Sequence, residues 1–484
     1  MGAGEVSLEA LFEPRSVAVI GASKGGTADG SPKLGTAALR YLVEHGFEGA
    51  VHPVNARESE ILERRCYASV KDIPGPVDLA ILVLPAEACV DAMRECGEKG
   101  VRAVIVMSSG FAEAGDHALQ DALTSTGRAA GIRFVGPNTA GFVNQRSKLV
   151  ASISMVCAMR PFRAGGVAFI TQSGAMGGSM LGRGMEEGVG FSHWIATGNE
   201  ADLDVADYLE YLADDPDARV FALFVEGVRD GEKFRRACQK AARVHKPVIV
   251  YKSGASDIGA RTSASHTGAL AGSHAVFTAF CRQHGLILVE DVADLLPLAR
   301  TFSWVGERLD LASVGGNRAG IVSASGGICG VAADECERQG LAVPELPAEV
   351  QAEIRGYVPS FASVRNPIDV TGQIRASATG YQDTVRAVLR QDTIDAVLLL
   401  VTMAAEPRAS FYGREISALA RESRKPLLVT WAGPLSLADK GYPMLQESHV
   451  PSFHSTRAAV RALAALVNYG AFLRRFGDRE RRAA

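Results

Sequence analysis

The sequence has no CxxC pair. Its eight cysteines (Cys66, Cys89, Cys96, Cys157, Cys238, Cys281, Cys329 and Cys336) are scattered along the chain, which excludes a zinc-ribbon or disulfide framework and suits reduced thiols packed as small hydrophobes. No window approaches the run of about 18 apolar residues that a spanning helix needs, and the N-terminus carries Glu5, Glu9 and Glu13 in place of a leader's apolar core. A cytoplasmic location with no membrane partner is the expectation. Charge of neither sign prevails: 51 Lys and Arg against 54 Asp and Glu give a net −3, and no sustained basic run precedes the Arg-rich tail at Arg474, Arg475, Arg479, Arg481 and Arg482. Nucleic acid is therefore not an expected partner. The ten histidines show no metal-ligand spacing, so no metal site is predicted, and no GxGxxG fingerprint is present.

What is present is a loop-rich α/β composition. With 484 residues, 47% hydrophobic, 51 Gly and 20 Pro, the chain has enough length for about three domains and is neither disordered nor collagen-like. Short apolar runs alternate with amphipathic stretches: Val17–Ile20, Leu79–Leu84, Val104–Met107, Val167–Ile170, Val220–Val225, Val248–Tyr251, Ala319–Ser323, Ala396–Val401 and Leu427–Thr430. Continuous apolar strands separated by helices predict parallel sheets covered on both faces. Linkers are expected near Met159, Pro161 and Gly165 and across Trp304–Gly316. An internal likeness relates the later parts: Val167-Ala-Phe-Ile-Thr-Gln-Ser-Gly-Ala-Met-Gly-Gly178 matches Gly320-Ile-Val-Ser-Ala-Ser-Gly-Gly-Ile-Cys-Gly330, and each is followed by a Lys-Pro strand, at Lys246-Pro247 and Lys425-Pro426. Two related doubly wound domains follow from this.

Several strand ends could carry chemistry. Gly21-Ala22-Ser23 leads through a Gly-rich segment to a helix start, where small residues let backbone N–H groups approach a nucleotide phosphate; the same pattern also serves as a plain βα turn. Pro53-Val54-Asn55 sits where such a unit contacts ribose, but without the acidic residue of an NAD site. Val83-Leu84-Pro85 and Ser108-Ser109-Gly110 end further strands, with hydroxyls suited to phosphates or a pantetheine arm. Gly136-Pro137-Asn138 reads equally as a tight turn. Ser173-Gly174-Ala175 and Ser325-Gly326-Gly327 each open a helix, and two such positive ends aimed at one point could hold a phosphoryl group; capping of the helices by the two serines is the alternative. His266 stands alone in a small-residue run from Ser253 to Ser273 that cannot pack as an ordinary helix face, and it is a candidate nucleophile or an incidental exposed side chain. Glu226, directly after an apolar strand, is placed to orient that imidazole or is a solvated strand end.

Taken together, Leu11–Ser23, Gly136-Pro-Asn138, Gln172-Ser-Gly-Ala175, Gly198-Asn-Glu-Ala-Asp202, Glu226-Gly-Val-Arg-Asp230, Ser265-His-Thr-Gly-Ala-Leu-Ala-Gly272 and Asn366-Pro-Ile-Asp369 resemble the NDP-forming acyl-CoA synthetases, relatives of succinyl-CoA synthetase, over roughly Leu11 to Asn468. The resemblance implies three doubly wound α/β domains: a CoA-binding Rossmann-like domain at 1–150, a flavodoxin-like domain with a phosphohistidine loop at 151–305, and a flavodoxin-like ligase domain at 312–470. It implies that His266 is the phosphohistidine, that Glu226 steadies it, and that the helix starts at Ser173, Gly174 and Ala175 and at Ser325, Gly326 and Gly327 face the phosphate. It implies CoA contacts at Gly21, Ala22, Ser23, Asn55, Pro85, Ser108, Ser109 and Asn138. This chain has Thr139 where the family usually has Cys, and an ATP-grasp module is not expected after the Arg-rich tail.

The expected function is the α-type subunit of an NDP-forming acyl-CoA synthetase, interconverting acyl-CoA, phosphate and NDP with carboxylic acid, CoA and NTP. Coenzyme A is then a substrate, magnesium-nucleotide sits on a separate ATP-grasp β-type subunit, and the assembly is a hetero-oligomer or homodimer. A noncatalytic CoA or acyl-CoA sensor on the same fold is the alternative, while the missing dinucleotide fingerprint and ribose carboxylate argue against a nicotinamide-dependent oxidoreductase.

Overall fold

Uninterrupted apolar segments become the centres of three sheets. The computed structural model describes residues 8–26, 32–160, 162–256, 258–259, 273–376 and 379–483. The first sheet contains β1 (Ser16–Ile20), β2 (Ala50–Val54), β3 (Leu79–Leu82), β4 (Ala103–Val106) and β5 (Arg133–Val135), in the spatial order β2-β1-β3-β4-β5, all parallel. Every residue of β1, β3 and β4 is buried, as the apolar runs predict for strands covered on two faces.

The second sheet adds β6 (Gly141–Asn144), β7 (Leu149–Ser152), β8 (Ala164–Thr171), β9 (Phe191–Ala196), β10 (Val220–Val225), β11 (Val248–Lys252) and β12 (Ile287–Val289), ordered β12-β11-β10-β8-β9-β6-β7. Its parallel part runs from β12 to β9, while β6 and β7 form an antiparallel hairpin that joins beside β9. The hairpin departs from the expected purely parallel arrangement. Strand β9 was also illegible in the sequence, since Ser192 and His193 interrupt its apolar pattern, yet both are buried. Burial depresses the His193 imidazole to about 4, so it packs as a neutral ring against Phe12, with centroids 5.6 Å apart.

The third sheet comprises β13 (Ala319–Ser323), β14 (Ile368–Asp369), β15 (Ala396–Val401), β16 (Leu427–Trp431) and β17 (Ser452–Phe453), ordered β14-β13-β15-β16-β17 and parallel throughout. Counting only parallel strands within each sheet, all three have the same order, 2-1-3-4-5, the flavodoxin-like winding. The chain divides into two compact units, Met1–Ala299 with the first two sheets and Arg300–Ala484 with the third. The stretch Trp304–Gly316, expected to be a linker throughout, is helical at its start, because the helix Leu295–Gly306 extends through Trp304.

The internal likeness in the sequence has a physical counterpart. Pro247 O accepts from Phe221 N at 2.9 Å and Pro426 O from Val397 N at 2.9 Å, so each Lys-Pro step feeds the strand at the same place. The preceding lysines act alike as well: Lys246 Nζ donates to Asp215 O at 2.5 Å, and Lys425 Nζ donates to Gln391 O at 2.6 Å. Desolvation lowers both ammonium groups.

Helices close the layers with one apolar stripe each. In Gly231–Arg243 the buried residues are Phe234, Ala237, Cys238, Ala241 and Ala242, the spacing of a single helical face, and Asp230 caps the N-terminus by accepting from Glu232 and Lys233 amides at 3.0 and 2.9 Å. Within the first unit the two sheets share a hydrophobic core, and Phe12 meets Phe142 edge-on at 4.9 Å. Arg133 Nε and the Phe134 amide both donate to Asp202 at 2.9 Å, tying β5 to the segment after β9.

All eight cysteines are free and buried. Burial pushes the Cys96 and Cys157 thiols up to about 12 and that of Cys336 to about 11, so they stay protonated at neutral pH. Ellman's reagent at pH 8 is expected to leave the native protein essentially unlabelled and to titrate all eight thiols after guanidinium unfolding; rapid labelling of native protein would contradict this packing.

Candidate functional site

In the first sheet, β1 and β3 flank the point where the winding reverses, and Gly21 follows β1 there. Its φ is +97°, and a Cβ would lie 2.1 Å from Val83 O, so backbone conformation and contact both require glycine. Gly35, at the start of the helix Leu34–Glu44, approaches equally closely: a Cβ there would lie 2.3 Å from Gly21 O. Asn55 Nδ2 donates to Ala22 O at 2.7 Å, and Thr36 Oγ1 donates to Ser23 O. Gly21, Ala22, Ser23 and Asn55 thus form one cluster at the ends of β1 and β2.

The next strand ends are joined by Ser108, whose Oγ accepts from Leu84 N at 3.0 Å and whose carbonyl accepts from Asn138 N at 2.9 Å. Pro85 precedes the helix Ala86–Lys99 as its N-cap. Asn138 has φ +60° and reaches across to Asn199, Nδ2 to Oδ1, at 3.3 Å. Thr139 is buried and its hydroxyl is spent internally, donating to Ala196 O and accepting from Gly141 N at 3.1 Å. It anchors the turn to β9.

In the second sheet the reversal point lies between β8 and β10, which pair as far as Thr171 and Phe224. Beyond that register the side chain of Gln172 takes over. Its Oε1 accepts from the amides of Glu226, at 2.5 Å, and Gly227, at 3.0 Å, and its Nε2 donates to Gly227 O at 2.8 Å. Lys252, 4% exposed, donates from Nζ to Glu226 O and Ser253 O, both at 2.7 Å, and burial lowers its ammonium pKa. The backbone of Glu226 is therefore held on both its N–H and its C=O.

The helix Gly174–Glu186 begins beside this brace. Ser173 caps it, Oγ accepting from Met176 N at 3.4 Å, and Thr171 Oγ1 donates to Ser173 O at 2.9 Å. The helix sits tightly against the strand because of its glycines: at Gly177 a Cβ would lie 2.3 Å from Thr171 Cγ2. Its first amides, lacking helical acceptors, face a cavity of about 410 Å³.

That cavity, wholly within the first unit, brings part of the predicted site together. Its wall includes Ser109, Asn138, Ser173, Gly174, Ala175 and Glu226, along with Gln172. Gly21, Ala22, Ser23, Asn55, Pro85 and Ser108 stand outside the wall, although Leu34, at the start of the helix that packs on Gly21, is part of it. His266 lies outside the described residues. Ser325, Gly326 and Gly327 belong to the second unit, at the end of β13. There Ser325 makes no side-chain cap, Ser323 Oγ accepts from Ser325 N at 3.1 Å, and a Cβ on Gly326 would lie 3.0 Å from Asp369 Oδ2. Of the two serines, only Ser173 caps its helix.

Sequence reasoning assigned no role to Gln172, Lys252 or Glu200. Glu200 also lines the cavity; it is 5% exposed, its Oε1 is buried without a hydrogen-bond partner, and burial raises its carboxyl to about 7. Gln172 and Glu200 stand inside motifs that carry the family resemblance, but the contacts that give them and Lys252 a role come from segments distant in sequence.

Three flavodoxin-like windings, with a cavity where the ends of the first two meet, make this a doubly wound α/β protein with a ligand-sized cavity at its strand ends. Models of three families match in order: a CoA binding domain over residues 15–145, a succinyl-CoA ligase like flavodoxin domain over 164–302, and a ligase-CoA domain over 319–472. The α subunits of acetate–CoA ligase [ADP-forming] I and II of Pyrococcus furiosus are 36% and 35% identical, over 96% and 95% of this chain and 98% and 97% of theirs. The solved dinucleotide forming acetyl-coenzyme A synthetase 1 of Ca. Korarchaeum cryptofilum, in complex with phosphate and ADP, superposes with a TM-score of 0.88 at 31% identity, covering 98% of this chain and 99% of that one. The chain belongs to the NDP-forming acyl-CoA synthetase family, in its α-subunit form.

Replacing Gln172 with Ala removes three hydrogen bonds, each contributing roughly 0.5–1.5 kcal/mol. Amide exchange at Glu226 and Gly227 is expected to speed by roughly tenfold or more, with Val220–Leu223 unchanged. Unchanged exchange at Glu226 and Gly227 would show that the brace is not needed there.

Proposed function

We propose that this chain carries out the CoA and phosphoryl half of an NDP-forming acyl-CoA synthetase, together with a separate ATP-grasp β-type subunit that holds magnesium-nucleotide, in a cytoplasmic hetero-oligomer. The observation that carries this reading is the cavity lined jointly by Ser109 and Asn138 from the CoA-binding lobe and by Gln172–Ala175 and Glu226 from the flavodoxin-like lobe. A thioester delivered from one lobe would there meet a phosphate held by the other.

In the acyl-CoA-consuming direction, a phosphate oxygen attacks the thioester carbonyl; the C–O bond forms, the C–S bond breaks, and CoA leaves as a thiolate that takes up a proton. His266 then attacks the phosphorus of the acyl phosphate, releasing the carboxylate and forming phosphohistidine. The imidazole next passes the phosphoryl group to the nucleoside diphosphate on the partner. Glu226 is assigned to accept a hydrogen bond from the other ring nitrogen, which fixes the tautomer and supports the positive charge that develops on attack. The amides of Gly174 and Ala175, at the positive end of a 13-residue helix, are assigned to the phosphate oxygens. Gly21, Ala22, Ser23, Asn55, Pro85 and Ser108 are assigned to the nucleotide and pantetheine of CoA, and Ser325, Gly326 and Gly327 to a second phosphate-facing helix start.

The test is phosphoryl labelling of the full chain with its ATP-grasp partner, magnesium and γ-labelled ATP. Wild type should acquire acid-labile label, His266→Ala none, and Glu226→Gln should label more slowly by up to about 10⁴-fold, the loss seen when a histidine-orienting carboxylate becomes an amide. Equal labelling of wild type and His266→Ala would overturn the assignment, and CoA binding without label in wild type would favour a binding-only protein.

A further inference from the structure

The phosphoryl-transfer reading leaves Glu200 unused, although it lines the same cavity as Gln172, Ser173 and Gly174. Its side chain is 3% exposed, and Oε1 is buried with no hydrogen-bond partner. Oε2 has Arg229 Nε at 3.9 Å, but that guanidinium is itself 43% exposed and donates from its other arm to Asn199 O at 2.7 Å. The backbone at Glu200 is unusual as well: φ is +53°, a left-handed conformation uncommon for a side-chain-bearing residue, and flanking amides pin it, Asn199 N to Pro137 O at 2.9 Å and Ala201 N to Gly136 O at 3.0 Å. The chain thus holds a carboxyl in a strained place, facing a helix start, with one oxygen unsatisfied.

An ionised carboxyl there would leave a buried lone-pair oxygen unpaired and would repel any anion at the helix start. The neutral acid presents an O–H donor instead. We propose that Glu200, as the neutral acid, donates a hydrogen bond to an oxygen of the tetrahedral oxyanion seated at the start of the helix Gly174–Glu186, and so selects a phosphate-class ligand for this cavity; this rests on the phosphoryl-transfer reading above. Burial raises the Glu200 carboxyl to about 7 and Asp204 adds to the effect, while side-chain hydrogen bonding from Gln172 and Thr197 and the charge of Arg229 oppose it, with Oε1 left unpartnered. The charged and titratable groups around it are Arg229, Asp204, the buried Tyr208 and, on the cavity wall, Glu226. Below about 7 the donor is present; as pH rises through that value the group ionises and the anion is repelled.

The experiment is calorimetric titration of the full chain with sulfate, a tetrahedral dianion that does not itself titrate between pH 6 and 8.5. Wild-type affinity should fall roughly tenfold or more across that range. Glu200→Gln, whose amide donates at every pH, should keep the low-pH affinity at both ends, and Glu200→Ala should bind weakly at both. Persistence of the wild-type pH dependence in Glu200→Gln, or wild-type affinity in Glu200→Ala at pH 6, would overturn the role of Glu200 while leaving the phosphoryl site standing. Failure of wild type to bind sulfate at any pH would overturn the site reading itself, and the role of Glu200 with it.

Discussion

The amide of Gln172 continues the sheet where backbone pairing stops. Beyond Thr171 and Phe224, β8 turns into a helix and β10 into a loop, and the last backbone bond between the two ends is Gln172 N to Phe224 O at 3.0 Å. One side chain with an acceptor and a donor fits that gap, because it satisfies two amides and a carbonyl of the opposite strand end at once. The Glu226 backbone and the strand end that leads into the helix Gly174–Glu186 are thereby held by one brace. Lys252 completes it from below by taking the Glu226 carbonyl.

Close packing extends this constraint outward. Gly177 lets the helix lie against Thr171, and Gly21 and Gly35 let β1, β3 and the helix Leu34–Glu44 converge in the first lobe. At each of these positions a methyl group would fall inside another atom, so only glycine lets the helix starts come this close to the strand ends. Rigid elements of this kind hold amides in place for an anion without a reorganisation cost when it binds. The shared core of the first two sheets and the Arg133–Asp202 tie then keep the two halves of the cavity in register.

Much of the architecture was legible because it is local. Runs such as Val220–Val225, Ala319–Ser323 and Ala396–Val401 are strands with the bounds their apolar residues suggest, and the repeated Lys-Pro steps enter equivalent positions of two sheets. Strand β9 and the hairpin of β6 and β7 were not, since buried polar residues break their apolar pattern: Ser192 and His193 lie inside β9, and Asn144 of the hairpin donates to Phe12 O at 2.9 Å, far along the chain. The same holds for the site. Ser173 and Glu226 could be placed at strand ends from their flanking sequence. The bracing by Gln172 and Lys252 and the buried, unsatisfied oxygen of Glu200 arise only when separate segments meet. The likeness of the turns at Ser173 and Ser325 also concealed a difference, for Asp369 lies close to Gly326 and only Ser173 caps its helix.

The central claim is that one cavity, walled by both lobes of the first unit, receives the CoA thiol and a phosphate together. A crystal structure of the protein with CoA and inorganic phosphate tests it most directly. The account predicts phosphate on the Gly174 and Ala175 amides and the pantetheine sulfur entering beside Ser109 and Asn138. Phosphate bound elsewhere, or a thiol directed away from that cavity, would contradict it.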